Sequence, residues 1–242
     1  MSFDVSFIIP LYNEQEVFDE LIKRVVTVME EVPFAIEVVL INDGSTDQTS
    51  QMMTDLAKTD ERFCCVFLSR NFGHQIALSA GIDHASGRLG AMILDGDLQD
   101  PPELISSFMA KYEEGYDVVY AIRQKRKEGL ILKALYKTYY RILKSMANIS
   151  IPLDSGDFAF LSRRVLDNIK AMPEQSRFIR GMRAWVGFRQ VGVEYDRNER
   201  SFGTSKYSIS SLIKLGMNGI FNFSEIPIKF ISRLGLLTIL GS

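Results

Sequence analysis

Short apolar runs of strand length alternate with longer amphipathic segments through the first half of the chain. The apolar runs are rich in Val, Ile and Phe, and the segments between them repeat apolar residues at helical spacing. The predicted strands are 5–10, 36–41, 64–68, 91–94 and 117–121, and the clearest predicted helices are 16–31 and one that ends near residue 85. This alternation predicts an α/β domain with a mostly parallel sheet and helices on both faces.

The strand predicted over 91–94 is followed by two carboxylates one residue apart, Asp95 and Asp97. In open α/β sheets, ligands bind at the carboxyl ends of the strands. Two crowded carboxylates repel each other unless a cation lies between them, and Mg²⁺ or Mn²⁺ with oxygen ligands is the usual solution. We therefore predict a metal site here. Asp100 before Pro101 also predicts the N-cap of a following helix.

Other predicted strands end in polar residues as well. Asn13 and Glu14 follow the first strand, and Asp43 follows the second on a turn that contains Gly44. These side chains are predicted to share one rim with the carboxylate pair and to form a ligand cleft. The chain contains neither G-x-G-x-x-G after the first strand nor a P-loop motif, so a nucleotide would be held by side chains and a metal. Asp43 alone is equally compatible with a role in forming the turn.

Charge is distributed unevenly along the 242 residues, although the net charge is only −2. Residues 1–120 contain 21 Asp and Glu against 7 Lys and Arg, whereas residues 121–242 contain 9 against 21. The acidic half suits a cation, and the basic half suits an anionic partner such as a phosphate or a lipid headgroup. Ordinary solvated surface is the alternative. The sequence gives no indication of a nucleic-acid partner.

The C-terminal region has the composition of a membrane-proximal segment. Segment 207–223 spaces its apolar residues as an amphipathic helix does, and 224–242 is largely apolar but is interrupted by Lys229 and Arg233. That stretch is shorter than the roughly 20 residues that span a bilayer. We therefore predict a domain over 1–223 and, over 224–242, either an interfacial helix or the truncated start of a membrane anchor. The adjacent Cys64 and Cys65 suggest no disulfide framework and favour a reducing cytoplasm.

Three motifs together resemble the family 2 glycosyltransferases with the GT-A fold. They are I-I-P-L-Y-N-E at 8–14, N-D-G-S-T-D at 42–47 and D-G-D-L-Q at 95–99. Segments 70–73, 100–103 and 199–207 further resemble the polyprenyl-phosphate sugar transferases, among them dolichyl-phosphate mannose synthase and the bactoprenol glucosyltransferases. The resemblance implies inverting transfer of a hexose from a nucleotide sugar similar to UDP-glucose to a polyprenyl phosphate. It also implies Mg²⁺ or Mn²⁺ and a location on the cytoplasmic side of the cell membrane, peripheral or anchored through a missing C-terminal transmembrane region.

The resemblance also implies roles for individual residues. The residues it implies for the donor are Pro10, Tyr12, Glu14, Asp43, Ser45, Asp95, Gly96 and Asp97. The residues it implies for the metal are Asp95, Asp97 and Gln99. It places Asp157 near the transferred sugar, and Arg123, Arg200 and Lys206 near phosphates at the membrane. Asp157 could instead be a turn residue that opens a strand over 158–161. His74 is a further candidate phosphate contact, and Trp185 is expected in the core.

Three other functions are compatible with parts of the sequence. A HAD-like phosphatase also has Asp-x-Asp after an apolar strand, but Gln99 stands where that motif has Thr or Val. A related glycosyltransferase would act on a sugar hydroxyl of a cell-surface polysaccharide precursor. A non-catalytic module would bind a nucleotide sugar without turnover.

Segment 180–185 does not fit the Gln-x-x-Arg-Trp motif of processive enzymes, which favours single transfer. A homo-oligomer is compatible with the sequence.

Overall fold

The computed structural model describes residues 2–123, 155–174, 177–196 and 238. The described strands are β1 (Val5–Leu11), β2 (Ile36–Asn42), β3 (Phe63–Phe67), β4 (Gly90–Ile93), β5 (Val118–Arg123), β6 (Ser155–Ser162) and β7 (Gln190–Tyr195). They form one sheet in the order β3-β2-β1-β4-β6-β5-β7. The described helices are α1 (Phe18–Glu31), α2 (Thr49–Thr59), α3 (His74–His84), α4 (Ile105–Glu113), α5 (Arg163–Ala171) and α6 (Ile179–Trp185).

The sheet is mostly parallel, as predicted, but β6 runs against its neighbours. It pairs antiparallel with β4 on one side and with β5 on the other, while the remaining pairs are parallel. The amino end of β6 therefore lies at the edge where the other strands have their carboxyl ends. This reversal brings residues at the start of β6 into the rim predicted from the strand ends.

Helices cover both faces of the sheet because alternate residues of each strand point to opposite sides. Phe7 and Ile9 of β1 belong to one core cluster, with residues of α1, α2 and α4. Ile8, between them, belongs to a second cluster with residues of α3, α5 and α6. Each face thus has its own apolar core, and the predicted layering is confirmed.

Two local predictions are wrong. Asp100 does not cap a helix, because a 3-10 turn (Pro102–Leu104) precedes α4 and neither element has a side-chain N-cap bond. Its buried carboxylate instead accepts a hydrogen bond from the hydroxyl of Tyr195. Trp185 is not in the core: it lies at the end of α6 and is 59% exposed.

Several predicted features lie outside the described residues. These are the juxtamembrane helix over 207–223, the segment 224–242 apart from residue 238, and the candidate phosphate ligands Arg200 and Lys206. Within the described ranges, none of the helices combines the length and hydropathy that crossing a membrane requires.

Glu37 is the centre of a buried polar network near the opposite end of the strands from the predicted rim. Its carboxylate accepts bonds from the hydroxyl of Ser6, from the backbone N–H of Ser86 at 2.6 Å and from the hydroxyl of Ser86 at 2.8 Å. Gly87 N–H donates in turn to Ser6 Oγ at 2.8 Å. The network joins β1 and β2 to the loop after α3, and its groups are satisfied by one another.

We expect Glu37→Ala to lower the free energy of unfolding by about 2–3 kcal/mol, because buried donors lose their acceptor. Urea unfolding followed by circular dichroism measures this change. Glu31→Ala, at the exposed end of α1, is the control and should shift the unfolding free energy by less than about 0.5 kcal/mol. Equal effects of the two substitutions would contradict a stabilising role for the network.

Candidate active site

The loops after β1 and β2 are joined by hydrogen bonds. Asn13 N–H donates to Ser45 Oγ at 3.0 Å, and Asn13 Oδ1 accepts the N–H of Thr46 at 2.8 Å. Glu14 N–H donates to Thr49 Oγ1 at 3.0 Å. The predicted donor residues Glu14 and Ser45 therefore lie together at one rim. The half-buried Pro10 and Tyr12 are beside them at the end of β1.

Asp43 connects this rim to the loop after β3. Its side chain is buried, and its two carboxylate oxygens accept the backbone N–H groups of Phe72 at 2.8 Å and Gly73 at 3.0 Å. Burial raises the pKa of Asp43, while these two N–H groups act in the opposite direction. The carboxylate thus fixes the loop that leads into α3. A contact between Asp43 and a nucleoside stays a prediction.

The turn that carries Asp95 and Asp97 packs closely on the end of β1. A Cβ atom at Gly96 would lie 2.5 Å from Leu11 Cδ2 and 3.2 Å from the carbonyl oxygen of Pro10. Only glycine allows this approach without displacement of Leu11. Gly96 therefore allows the turn to pack against the end of β1. Its contribution to donor binding stays a prediction.

Backbone conformation after Asp97 is held by polar contacts. Asp97 Oδ1 accepts the N–H of Gln99 at 3.2 Å, and Leu98 has a φ of 62°, in the left-handed region that branched residues avoid. Arg24 donates to the carbonyl of Leu98 at 3.3 Å and is itself held by two bonds to Glu103 at 2.7 and 2.8 Å. These contacts stabilise a conformation that would otherwise be unfavourable.

The donor set of this turn suits a hard divalent cation. Asp95 and Asp97 supply carboxylate oxygens, Gln99 supplies an amide oxygen, and the side chain of Asp95 is one-third exposed at the rim. Among the described residues, no group of three or more His, Cys, Asp or Glu side chains is arranged to hold a metal ion. A cation bound here would therefore complete its coordination with water or with the phosphates of a nucleotide.

Asp157 lies deeper in the same edge, as the third residue of β6 rather than in a turn before it. Its Oδ2 accepts a bond from Gln75 Nε2 at 3.1 Å and lies 3.4 Å from a guanidinium nitrogen of Arg180. Burial opposes ionisation of this carboxyl, but Arg180, His74 and Arg183 outweigh burial and hold its pKa far below the usual range. Asp157 is therefore a mostly buried, charged carboxylate in a cationic surrounding.

His74 links this carboxylate to the predicted metal ligands. It is the first residue of α3, and its Nε2 lies 3.6 Å from Asp95 Oδ1 and 3.6 Å from Asp157 Oδ2. Burial disfavours the imidazolium, but Asp157 and Asp95 raise the pKa of His74 to about 9. A cationic side chain thus lies between the two acidic groups.

Arg123 ends β5 at the other side of the rim. Its Nε donates to the hydroxyl of Tyr195 at 3.4 Å, and that hydroxyl donates to Asp100 Oδ1 at 2.7 Å. Burial works against the charge of this guanidinium, but Tyr195, Asp100 and Asp95 together raise the pKa of Arg123. The predicted phosphate ligand Arg123 is therefore close enough to Asp95 to be influenced by its charge.

Four residues of this site were not predicted from the sequence: Gln75, Arg180, Arg183 and Tyr195. For Arg183 a signal exists, because Ile179, Met182 and Arg183 are buried at helical spacing, which puts an arginine on the apolar face of α6. Gln75 joins α3 to α6 by accepting the N–H of Ile179 at 2.8 Å. Neither this contact nor that of Tyr195 can be inferred before the order of the strands is known.

Comparison with known proteins agrees with this architecture. Residues 6–170 match the family described as "Glycosyl transferase family 2". Over 233 residues the chain is 43% identical to the "Uncharacterized glycosyltransferase YkcC" of Bacillus subtilis (strain 168), and this alignment covers 96% of this chain and 72% of the relative. It is also 37% identical over 233 residues to the "Bactoprenol glucosyl transferase" of Shigella phage SfV, and this alignment covers 96% of this chain and 76% of the relative.

Solved structures show the same fold at lower identity. The mannosyltransferase PcManGT from Pyrobaculum calidifontis, in complex with GDP-Man and Mn²⁺, aligns with a TM-score of 0.56 and 20% identity over 83% of this chain and 57% of that chain. TarS 1-349 of S. aureus in complex with UDP aligns with a TM-score of 0.54 and 19% identity over 81% of this chain and 59% of that chain. The chain thus spans less than two thirds of the length of either solved structure.

The predicted GT-A fold and the predicted enzyme class are both confirmed by these similarities. The family match includes more than half of the chain, and the alignment with the relatives includes nearly all of it. The chain therefore belongs to the family 2 glycosyltransferases.

Proposed function

We propose that this glycosyltransferase transfers a hexose from a nucleotide sugar to a polyprenyl phosphate at the cytoplasmic face of a membrane. The observation that carries the proposal is the 37% identity, over 96% of the chain, to a protein named bactoprenol glucosyl transferase. The alignment extends beyond the family match, which ends at residue 170, and includes most of the basic half of the chain. Within the proposal, a UDP-hexose such as UDP-glucose is the donor.

On the donor side, Asp95, Asp97 and Gln99 would hold Mg²⁺ or Mn²⁺. Such a cation supplies charge neutralisation for the nucleoside diphosphate as it leaves. Glu14 and Ser45 lie on the same rim, next to Pro10 and Tyr12, where we place the nucleoside. These roles are supported by the joining of the loops after β1, β2 and β3 into one edge through Asn13 and Asp43.

On the acceptor side, the nucleophile is a phosphate monoester that is already ionised near neutral pH. It needs cationic groups that position it more than it needs a base that removes a proton. We assign this positioning to Arg123, Arg200 and Lys206. Asp157 fits such a reaction, because a carboxylate held in an ion pair with Arg180 is a weak proton acceptor. We place Asp157 beside the transferred sugar, where it orients the hexose and the surrounding cations.

Attack on the anomeric carbon from the side opposite the diphosphate inverts its configuration. An α-linked nucleotide sugar then gives a β-linked glycosyl phosphate. The bond that forms joins an acceptor phosphate oxygen to the anomeric carbon, and the bond that breaks joins that carbon to the leaving diphosphate.

We expect glycolipid formation when the full chain is incubated with a UDP-hexose, Mn²⁺ and a short-chain polyprenyl phosphate. Mass spectrometry identifies the product, and the NMR coupling of its anomeric proton gives the configuration. A panel of UDP- and GDP-sugars identifies the donor, and EDTA should lower the rate at least about 100-fold. Transfer to a sugar hydroxyl alone, an α-linked product, or nucleotide binding without any turnover would each contradict part of the proposal.

Replacing a proposed metal ligand should remove most of this activity. We expect Asp97→Asn to lower kcat/KM at least about 100-fold. The variant would bind the metal cation more weakly, and this cation is proposed to neutralise the charge of the leaving diphosphate. Asp83→Asn, on the exposed end of α3, is the matched control and should leave kcat/KM unchanged. Activity of Asp97→Asn within a few-fold of wild type would exclude the metal-binding role of Asp97.

The mostly buried pair of Asp157 and Arg180 should be strongly coupled. Asp157→Asn and Arg180→Gln each remove one charge partner from a mostly buried ion pair, and breaking a fully buried pair typically costs about 3–5 kcal/mol. We expect the double variant to be more stable than the sum of the single effects by at least about 1 kcal/mol, measured by urea unfolding.

The exposed pair of Lys111 and Glu114, with a separation of 2.7 Å, provides the control for this cycle. Its coupling should be within about 0.5 kcal/mol, because solvent screens exposed pairs. A coupling of similar size in the two cycles would contradict the picture of Asp157 as a carboxylate stabilised by its cationic surrounding.

A further inference from the structure

The hydroxyl of Tyr195 lies between two charged groups at the edge of the site. It donates to Asp100 Oδ1 at 2.7 Å and accepts from Arg123 Nε at 3.4 Å. The ring is buried and packs edge-on against Phe158, with 5.5 Å between ring centroids. Packing and two hydrogen bonds thus define the position of this hydroxyl.

Asp100 lies at the end of the turn that carries the carboxylate pair, residues 95–101. The backbone of this turn includes the left-handed Leu98, so its conformation depends on contacts made by the rest of the protein. Arg24 holds the carbonyl of Leu98, and Tyr195 holds the buried carboxylate of Asp100. The turn is therefore fixed to α1 at one point and to β7 at another.

Arg123 depends on the same hydroxyl. Arg123 and Tyr195 are paired in register at the ends of β5 and β7. Tyr195 is also followed directly by Asp196 and by the segment that contains Arg200 and Lys206. One phenol therefore connects the turn of the carboxylate pair with Arg123, whose guanidinium is close enough to Asp95 to be influenced by its charge.

The phenol keeps its proton at neutral pH. Burial and the adjacent Asp100 carboxylate raise the pKa of Tyr195 above its ordinary value, although Arg123 acts in the opposite direction. Tyr195 is thus able to donate to the carboxylate and to accept from the guanidinium at the same time. Phenylalanine would keep the packing on Phe158 and lose both hydrogen bonds.

We propose that Tyr195 is a positioning residue for the donor, whose hydroxyl holds the 95–101 turn and Arg123 in the arrangement that binds a metal-bound nucleoside diphosphate. The inference rests on the proposed function, which assigns the metal and the diphosphate to this turn. Tyr195 acts through Asp100 and Arg123 and not by contact with the substrate.

The test compares nucleotide binding by the full-length wild-type chain and by Tyr195→Phe. Isothermal titration calorimetry measures the dissociation constants of UDP and of GDP, each with Mn²⁺ and each with EDTA. We expect Tyr195→Phe to bind the Mn²⁺–nucleotide about 10-fold more weakly, as is typical when a group that supports metal ligands is removed. Binding in EDTA should change much less, and excess Mn²⁺ should restore part of the affinity.

Tyr116→Phe is the matched control, because Tyr116 precedes β5 at the opposite edge of the sheet and packs against Arg189. It should bind both forms of the nucleotide as wild type does. Asp100→Asn tests the connection directly: its effect and that of Tyr195→Phe should not add in the double variant, because both act on one contact.

Three results would overturn the inference. Unchanged Mn²⁺-dependent affinity in Tyr195→Phe would exclude the positioning role while leaving the proposed function intact. Equal weakening with Mn²⁺ and with EDTA, together with a lower unfolding temperature, would show that the hydroxyl serves stability alone. Absence of Mn²⁺-dependent binding of either nucleotide in the wild type would instead refute the proposed function, and the premise of this inference with it.

Discussion

Electrostatic compensation at one edge of the sheet is the constraint on which the rest of this site depends. The carboxyl ends of the parallel strands and the amino end of β6 bring Asp43, Asp95, Asp97, Asp100 and Asp157 to this edge. Carboxylates that are buried or crowded are stable only when charges or hydrogen-bond donors oppose them. The carboxylate of Asp43 accepts backbone N–H groups, and that of Asp100 accepts the hydroxyl of Tyr195. The carboxylate of Asp157 lies beside the cationic side chains of Arg180 and His74. The pair of Asp95 and Asp97 is partly exposed to solvent at this edge, where the proposed cation would bind.

The sequence predicts the parts of the fold that depend on local patterns. Apolar runs locate β1 to β5 to within one or two residues, although they do not predict β7. The residues after these runs identify the rim, because parallel strands share one carboxyl edge. Direction and register are not local properties. Nothing within 155–162 indicates that this strand runs antiparallel, so Asp157 could be placed near the sugar only through a family resemblance. The partners of Asp157 come from α3 and α6, more than 20 residues away in either direction, and such contacts follow from the packing of whole elements.

Structure predicted from local sequence preferences is also wrong where a residue instead makes a contact within the candidate active site. Asp100 before Pro101 has the sequence of a helix N-cap, yet its carboxylate is used to bind Tyr195 and the helix begins with a 3-10 turn. Arg183 lies on the apolar face of α6, where burial and the charge of Arg180 lower the pKa of its guanidinium to about 10, although Asp157 acts in the opposite direction. In each case a residue departs from the favoured local arrangement and takes part in interactions at the acidic edge. Such conflicts between local preference and observed structure are common at functional sites.

The chemistry of the proposed phosphate acceptor explains why a weakly basic Asp157 is compatible with catalysis. A sugar hydroxyl must lose a proton as it attacks, so an enzyme for that acceptor needs a carboxylate or imidazole with a pKa near neutrality. In this chain, Gln75 and Arg180 hold Asp157 from two different helices, and Arg180 together with His74 favours its ionised form. Folding already fixes the position of this carboxylate, so it needs no rearrangement during turnover. A phosphate acceptor, which brings its own negative charge, is the nucleophile for which such a fixed and weakly basic carboxylate is sufficient.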